Sequence, residues 1–171
     1  MTIEEAIETA IQMEKKVHAA YVVAVSRARD AVAKRVFQTL ATEELGHVAY
    51  LENRLHEWRT DGCLALEKLK SILPSAARVR ERVHALLITA NAGSDQRDSD
   101  LQELRLALAV EEETSRFYQR MVHELPAEAQ TLFLRFLEVE DGHSAVVQAE
   151  IDLVSHCGRW FDLRELDPSQ G

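Results

Sequence analysis

The chain has 171 residues, of which 46% are hydrophobic, so a single domain can bury a sizeable core without disulfide bonds. Asp and Glu number 29 against 20 Lys and Arg, giving a formal net charge of -9, and no basic cluster interrupts this excess, which argues against nucleic acid as a partner. With only six glycines, three prolines and few β-branched runs, the composition predicts an all-α fold.

The N-terminus and the cysteines indicate a cellular compartment. Thr2 and Glu5 form a capping-box pattern, without the basic start and apolar core of a secretion signal. No run reaches the roughly 18 consecutive apolar residues that a membrane span needs. Cys63 and Cys157 form no C-x-x-C pair and are interpreted as ordinary thiols. We therefore expect a soluble, cytoplasmic protein without a membrane partner.

The first half of the chain predicts two long helices. Apolar residues at helical spacing define the first helix from about residue 3 to residue 29. Arg29 and Asp30 offer a break, after which a second apolar stripe runs to turn residues at 60–62.

The second half predicts a crossover and two more long helices. Residues 63–99 are interpreted as a long crossover, interrupted by Pro74 and containing one helix over residues 76–90. The third main helix is predicted to start near Ser99. Pro126 suits the first turn of the fourth, which is predicted to end near His156.

The four main helices predict a bundle of two helical hairpins over residues 1–157, joined by the partly helical crossover. Residues 158–171 are predicted to form a C-terminal tail. In this tail, Trp160 and Phe161 are expected to fold over one end of the bundle, and residues 167–171 are expected to fray.

Each main apolar stripe is interrupted by a glutamate, which is costly in a core unless the carboxylate is paired or bound to metal. The first and third helices carry one such glutamate each. The second and fourth each carry Glu-x-x-His, which places both side chains on one helix face, so that four helices can hold two ions between them. The predicted metal ligands are Glu14, Glu44, His47, Glu111, Glu140 and His143.

These positions repeat along the chain. The offsets are 97 for the lone glutamates (111 minus 14) and 96 for the histidines (143 minus 47), which predicts two hairpins of common design. Tyr21 and Tyr118 each follow a lone glutamate by seven residues. They are expected to hydrogen-bond ligand carboxylates or to carry an electron; the alternative is a role as large core residues.

The ligand types predict the metal only in part. Glutamate oxygens and neutral imidazoles suit iron, manganese or a mixed pair. Four glutamates would balance two divalent ions, so the loaded site is close to neutral. Without metal, the buried carboxylates should repel one another and some should take up protons.

This arrangement resembles the ferritin-like di-iron carboxylate superfamily and, within it, the rubrerythrin-like branch, over roughly residues 3–155. The resemblance implies a ferritin-like four-helix bundle that holds two iron ions and forms a homodimer. It further implies that Glu44 and Glu140 bridge the ions, that Glu14 and Glu111 are terminal ligands, and that each ion has one histidine.

Two departures from rubrerythrins accompany the resemblance. The chain lacks the two C-x-x-C pairs of a rubredoxin-like domain, and Thr114 occupies the position of a further glutamate three residues after Glu111. Glu112 and Glu113 are expected to point away from the metal. His18, one turn beyond Glu14, is interpreted as partly exposed or hydrogen-bonded to the cluster rather than as a ligand.

Gly46 and Gly142 occupy matching positions beside the ligand histidines. Glycine destabilises a helix interior by about 1 kcal/mol relative to alanine, so the repetition predicts either close helix packing or local unwinding at both positions, and we favour packing.

The site and the resemblance together imply a di-iron redox protein that reduces hydrogen peroxide or dioxygen with electrons from an external donor. One alternative is a ferroxidase-like protein that handles or stores iron, which would assemble into a large shell. Another is a scaffold with a structural metal, whose stability would depend on the bound ion.

Overall fold

The computed structural model describes residues 1–65, 68–93 and 98–166. Over these residues the fold is all-α, as the composition predicts, with no strand. The α-helices are α1 (Ile3–Arg27), α2 (Ala31–Asp61), α3 (Ala76–Thr89), α4 (Asp98–Glu124) and α5 (Ala127–Cys157). A 3-10 helix follows at Leu163–Leu166. Two pieces of the predicted crossover, residues 66–67 and 94–97, and the predicted frayed residues 167–171 lie outside the described residues.

Side chains cap the first two helices. The hydroxyl oxygen of Thr2 accepts a hydrogen bond from the Glu5 amide at 3.2 Å, and the Glu5 carboxylate accepts one from the Thr2 amide at 2.7 Å. This confirms the predicted capping box. Asp30 begins α2 by accepting hydrogen bonds from two amides of its first turn, so the predicted break is an N-cap.

The repeat in the sequence also appears in the backbone conformation at the ends of α2 and α5. Both helices have 31 residues and end at a glycine in the left-handed conformation, Gly62 with φ 64° and Gly158 with φ 65°. The offset, 158 minus 62, is 96, as it is for the histidines. Glycine suits this position because it has no Cβ to clash at positive φ.

A buried ionisable side chain hydrogen-bonds the segment that follows each of these glycines. Arg54 on α2 donates a hydrogen bond to the Ala65 carbonyl, and Glu150 on α5 accepts one from the Phe161 amide at 2.8 Å. Both bonds span 11 residues, and 150 minus 54 is again 96. In both hairpins, therefore, a buried side chain near the end of the second helix hydrogen-bonds the backbone of the segment that follows. The side chain is the donor in the first hairpin and the acceptor in the second.

The long helices pack as two pairs, α1 with α2 and α4 with α5, while α1 also contacts α4 and α3 contacts α5. This arrangement is compatible with a four-helix bundle. Trp160 and Phe161 are buried in the same apolar cluster as Val36 and Phe37 of α2. Across the described helices, no segment combines the length and apolarity needed to span a bilayer.

The core consists of two apolar clusters. One includes Val17, Leu40, Leu104 and Val147, and the other includes Ile7, Leu51, Phe133 and Phe136. Each long helix contributes to both clusters and passes from one to the other at its interrupting glutamate. The predicted ligands therefore form a polar layer between two apolar halves of the core.

Candidate metal centre

All six predicted ligand residues are buried in this polar layer. Five of them expose none of their surface and His47 exposes 1%. Their burial follows from the sequence, because each stands where the apolar stripe of its helix turns toward the core.

Four of the six side chains form a compact group. Glu44, His47, Glu140 and His143 each offer a ligand atom, and these atoms lie within 4.8 Å of one another. His143 Nδ1 lies 2.6 Å from Glu44 Oε1, and His47 Nδ1 lies 3.5 Å from Glu140 Oε1. A buried Glu/His group of this kind could hold a metal ion.

The two lone glutamates lie beside this group. Glu14 Oε2 is 3.2 Å from His47 Nδ1, and Glu111 Oε1 is 3.8 Å from His143 Nδ1. Each lone glutamate thus faces a different histidine, as the two-hairpin repeat requires. All six predicted residues are brought together; that all six bind metal stays a prediction.

The two tyrosines cross between the hairpins. Tyr21 on α1 donates its hydroxyl hydrogen to Glu111 on α4, and Tyr118 on α4 donates its hydroxyl hydrogen to Glu14 on α1. Burial, reinforced by the neighbouring carboxylates, raises the pKa of both phenols well above 10.0, so both remain donors at neutral pH. These bonds fix the orientation of the two lone glutamates.

Several buried oxygens of the cluster suit a cation. Among the described residues, neither oxygen of Glu140 has a hydrogen-bond partner, nor has Oε2 of Glu111. Buried polar atoms without partners are costly in a folded protein, and a bound cation would satisfy them. The residues therefore fit a metal ion, although their oxygen and imidazole donors do not by themselves select one metal.

Burial and mutual repulsion make the ionisation of the cluster unequal. Burial, followed by the charges of Glu14 and Glu111, raises the pKa of Glu44 and of Glu140 well above 4.5. Burial also opposes ionisation of Glu14, but hydrogen bonding to His47 outweighs it and lowers the Glu14 pKa. Despite its burial, His47 has its pKa raised to about 9 by Glu14 and Glu44. Glu44 and Glu140 are therefore the carboxylates that retain protons when no cation balances their charge.

The sequence analysis missed Glu43. Its Oε2 lies 3.8 Å from His143 Nε2, the ring nitrogen that faces away from Glu44. Ser71 donates its hydroxyl hydrogen to Glu43, and the Ile72 amide donates to Glu43 Oε1 at 3.2 Å, so the crossover holds this carboxylate in place. At 3.8 Å the two groups are in electrostatic contact without a hydrogen bond, and a carboxylate in this position favours the histidine tautomer with its proton on the nearby nitrogen.

A break in the repeat could have revealed Glu43. Its counterpart in the second hairpin is Val139, because 139 minus 43 is 96. Among the residues that the structure describes, neither His47 Nε2 nor His143 Nε2 has a hydrogen-bond partner, but Glu43 places a carboxylate oxygen 3.8 Å from His143 Nε2. The two histidines therefore differ in the charge that lies next to their outer nitrogens.

The lesser candidates lie where the sequence places them. Thr114 is buried and bonds to the Val110 carbonyl, whereas Glu112 and Glu113 are exposed. His18 is partly buried, and its Nδ1 lies 2.8 Å from the Ala41 carbonyl oxygen, so it bonds to α2 rather than to the cluster.

The predicted close packing at Gly46 is wrong. A Cβ atom at Gly46 would meet no atom of the described structure within 4 Å, and one at Gly142 would meet only the Pro74 carbonyl oxygen, at 3.6 Å, an ordinary contact. The two glycines match in sequence position, but neither is required by a neighbouring helix.

Comparison of the chain with protein-family models, with curated proteins and with solved structures gives no match. Support for a function comes from the geometry of the buried cluster.

Proposed function

We propose that the chain is a rubrerythrin-like, di-iron redox protein that reduces hydrogen peroxide or dioxygen with electrons from an external donor. The observation that carries this proposal is the paired Glu-x-x-His cluster, which is fully buried and has carboxylate oxygens without hydrogen-bond partners. Under this proposal two iron ions are held by the six predicted residues, Glu14, Glu44, His47, Glu111, Glu140 and His143.

Bound iron would supply the electrons that reduce the oxidant. Burial of the six side chains keeps bulk water away and restricts access to small molecules such as hydrogen peroxide and dioxygen. Because the site is enclosed between two apolar clusters, the proposed substrate is no larger than these molecules.

The residues around the cluster would orient its side chains for metal binding. Tyr21 and Tyr118 hold Glu111 and Glu14 in fixed orientations through their hydroxyl groups. Glu43 lies 3.8 Å from the outer nitrogen of His143, too far for a hydrogen bond but close enough to favour a proton on that nitrogen, while Nδ1 is directed at the carboxylates. His47 must release a proton before Nδ1 can bind a cation.

The finer assignment of the fold belongs to the same proposal. We infer a ferritin-like four-helix bundle on the strength of the two packed helix pairs and the duplicated ligand pattern, and a homodimer from the family resemblance alone. The proposal takes the electron donor to be external to the domain, since the two helical hairpins contain no C-x-x-C motif that could hold a rubredoxin-like iron.

Metal analysis of protein from its native source is the first test, with two irons per chain expected. Manganese in both positions, or a mixed pair, would revise the cofactor. Anaerobic loading with Fe(II), followed by hydrogen peroxide or dioxygen, then tests the chemistry, with consumption of the oxidant expected. Glu140→Ala should abolish binding and consumption, while the exposed Glu113→Gln should retain both.

Oxidant consumption no faster than that of free Fe(II) would refute the redox proposal. Light scattering after iron loading separates it from iron storage, because storage requires a large assembly and the redox proposal requires a small one with fixed stoichiometry. An unchanged melting temperature on metal removal would contradict any metal-binding role, since a ligand of the native state stabilises by mass action.

A further inference from the structure

A column of aromatic rings leads away from the polar layer on one side of the protein. The Tyr21 hydroxyl group bonds to Glu111, and the Tyr21 ring lies 6.2 Å from the Phe37 ring, measured between centroids. Phe37 in turn meets Trp160 edge to face, with centroids 5.4 Å apart. The column thus runs from a predicted metal ligand to the segment that follows α5.

The repeat supplies an internal comparison for this column. On the opposite side, the Tyr118 and Phe133 rings lie 5.7 Å apart, and Phe133 matches Phe37 because 133 minus 37 is 96. The position that matches Trp160 is Leu64, because 160 minus 64 is also 96. Among the described rings, Tyr118 also contacts Phe136 at 5.1 Å, and Phe136 contacts Tyr50 at 5.9 Å, so that side leads to a second phenol. The Tyr21 column instead ends in an indole, which gives up an electron more readily than a protonated phenol.

Each oxidisable member of the column has a proton acceptor. The Trp160 indole Nε1–H donates to Asp100 Oδ2 at 3.1 Å, and the Tyr21 hydroxyl group donates to Glu111 Oε1. Loss of an electron makes an indole or a phenol strongly acidic, so a nearby carboxylate makes the oxidation easier. Trp160 is 4% exposed and follows the exposed Arg159, whereas Tyr21 is fully buried. Trp160 is therefore the outer end of the column.

We propose that Trp160, Phe37 and Tyr21 form a route for single electrons between the protein surface and the metal centre. This inference rests on the proposed function, which supplies the external one-electron donor and the final oxidant, hydrogen peroxide or dioxygen. The Tyr118 side is not part of the route.

The electrons and protons balance along the column. Tyr21 first loses one electron, which the final oxidant, hydrogen peroxide or dioxygen, takes up at the centre, and the hydroxyl proton of Tyr21 moves to Glu111. Trp160 then returns one electron to Tyr21 across the Phe37 ring, which is not itself oxidised. The proton returns from Glu111 to Tyr21, and the indole proton of Trp160 moves to Asp100. The external donor finally gives one electron to Trp160, which recovers its proton from Asp100.

Pulse radiolysis tests the route without iron. Azide radicals oxidise tryptophan in preference to tyrosine, and Trp58→Phe leaves Trp160 as the only indole. The full-length protein is supplied with zinc, which has no redox chemistry. We expect the indole-radical absorption to decay at a rate independent of protein concentration, while phenoxyl-radical absorption rises.

Three further substitutions in the Trp58→Phe background identify the residues involved. Tyr21→Phe should suppress the phenoxyl signal to that of a control without tryptophan, Tyr118→Phe should leave it unchanged, and Phe37→Leu should slow its rise. Melting temperatures of the variants show whether each remains folded, and an altered radical signal in a folded variant cannot come from lost packing alone.

A phenoxyl signal that persists in Tyr21→Phe, or that is lost equally in Tyr118→Phe, would overturn the route. So would the absence of any indole radical, because the outer end must be reachable by one-electron reagents. The measurement involves neither iron nor the oxidant, so its failure leaves the proposed function standing, and a failure of iron binding leaves this result standing.

Discussion

The imidazole rings of His47 and His143 stack at the centre of the protein, with centroids 5.1 Å apart and ring planes 12° apart. Both rings direct Nδ1 toward carboxylates, but within the described part of the chain only His143 has a carboxylate within 4 Å of its Nε2. The two halves of the centre therefore share ligand types and differ in what supports them.

Metal-free protein should be less stable at pH 9 than at pH 6. The His47 pKa is raised from 6.5 to about 9, so its pairing with Glu14 and Glu44 contributes stability that is complete below 6.5 and lost as the pH rises through about 9. Glu44 and Glu140 have raised pKa values, so their ionisation with rising pH destabilises the fold further. Thermal unfolding in the presence of a chelator measures this; a melting temperature that rises over the same range would contradict it.

Metal binding should release protons and strengthen between pH 6 and pH 8. A bound cation requires neutral His47 and ionised Glu44 and Glu140, and each of these groups favours its protonated form in the metal-free cluster. Calorimetry in two buffers with different ionisation enthalpies counts the protons released. His47→Gln should release fewer, and identical heats in the two buffers would show that no proton is released.

Glu43→Gln should weaken one metal position more than the other. The substitution removes the carboxylate behind His143 and leaves His47 untouched, and loss of such a partner typically lowers metal affinity roughly 10–100-fold. Competition with a chelating dye resolves the two binding steps. Ser71→Ala should act in the same direction, and the exposed Glu113→Gln serves as the charge-matched control. Equal weakening of both steps would argue against a specific role for Glu43.

Gly46→Ala should stabilise the protein by about 0.5–1 kcal/mol, because alanine is the better helix former and its Cβ would point into open space. Gly62→Ala, at a φ of 64°, should instead destabilise it by about 1–2 kcal/mol. Urea unfolding of both variants measures the free energies. A destabilising Gly46→Ala would mean that the glycine serves a motion or a contact that the folded chain does not display.

Local rules were enough to predict the main helices and the buried cluster. The capping box at Thr2 and the apolar stripes place the helix ends to within a residue or two. Glu14 and Glu111 could be recognised because a charged side chain on an apolar stripe conflicts with burial wherever the helix packs.

Contacts between distant segments could not be predicted in this way. Glu43 depends on Ser71 and Ile72 of the crossover, whose position no helical periodicity specifies. The buried Arg54 and Glu150 were also missed, although their offset of 96 was available in the sequence. The error at Gly46 has a similar origin, since sequence symmetry does not show whether a neighbouring helix approaches that face.

The division of ligands between the hairpins also has a mechanical consequence. The first hairpin carries Glu14, Glu44 and His47, and the second carries their counterparts, so neither hairpin alone has a complete site. A cation bound by both sets would be a non-covalent cross-link between residues about 97 positions apart in the chain. Pulling the two hairpins apart would break metal coordination before either hairpin lost its internal packing.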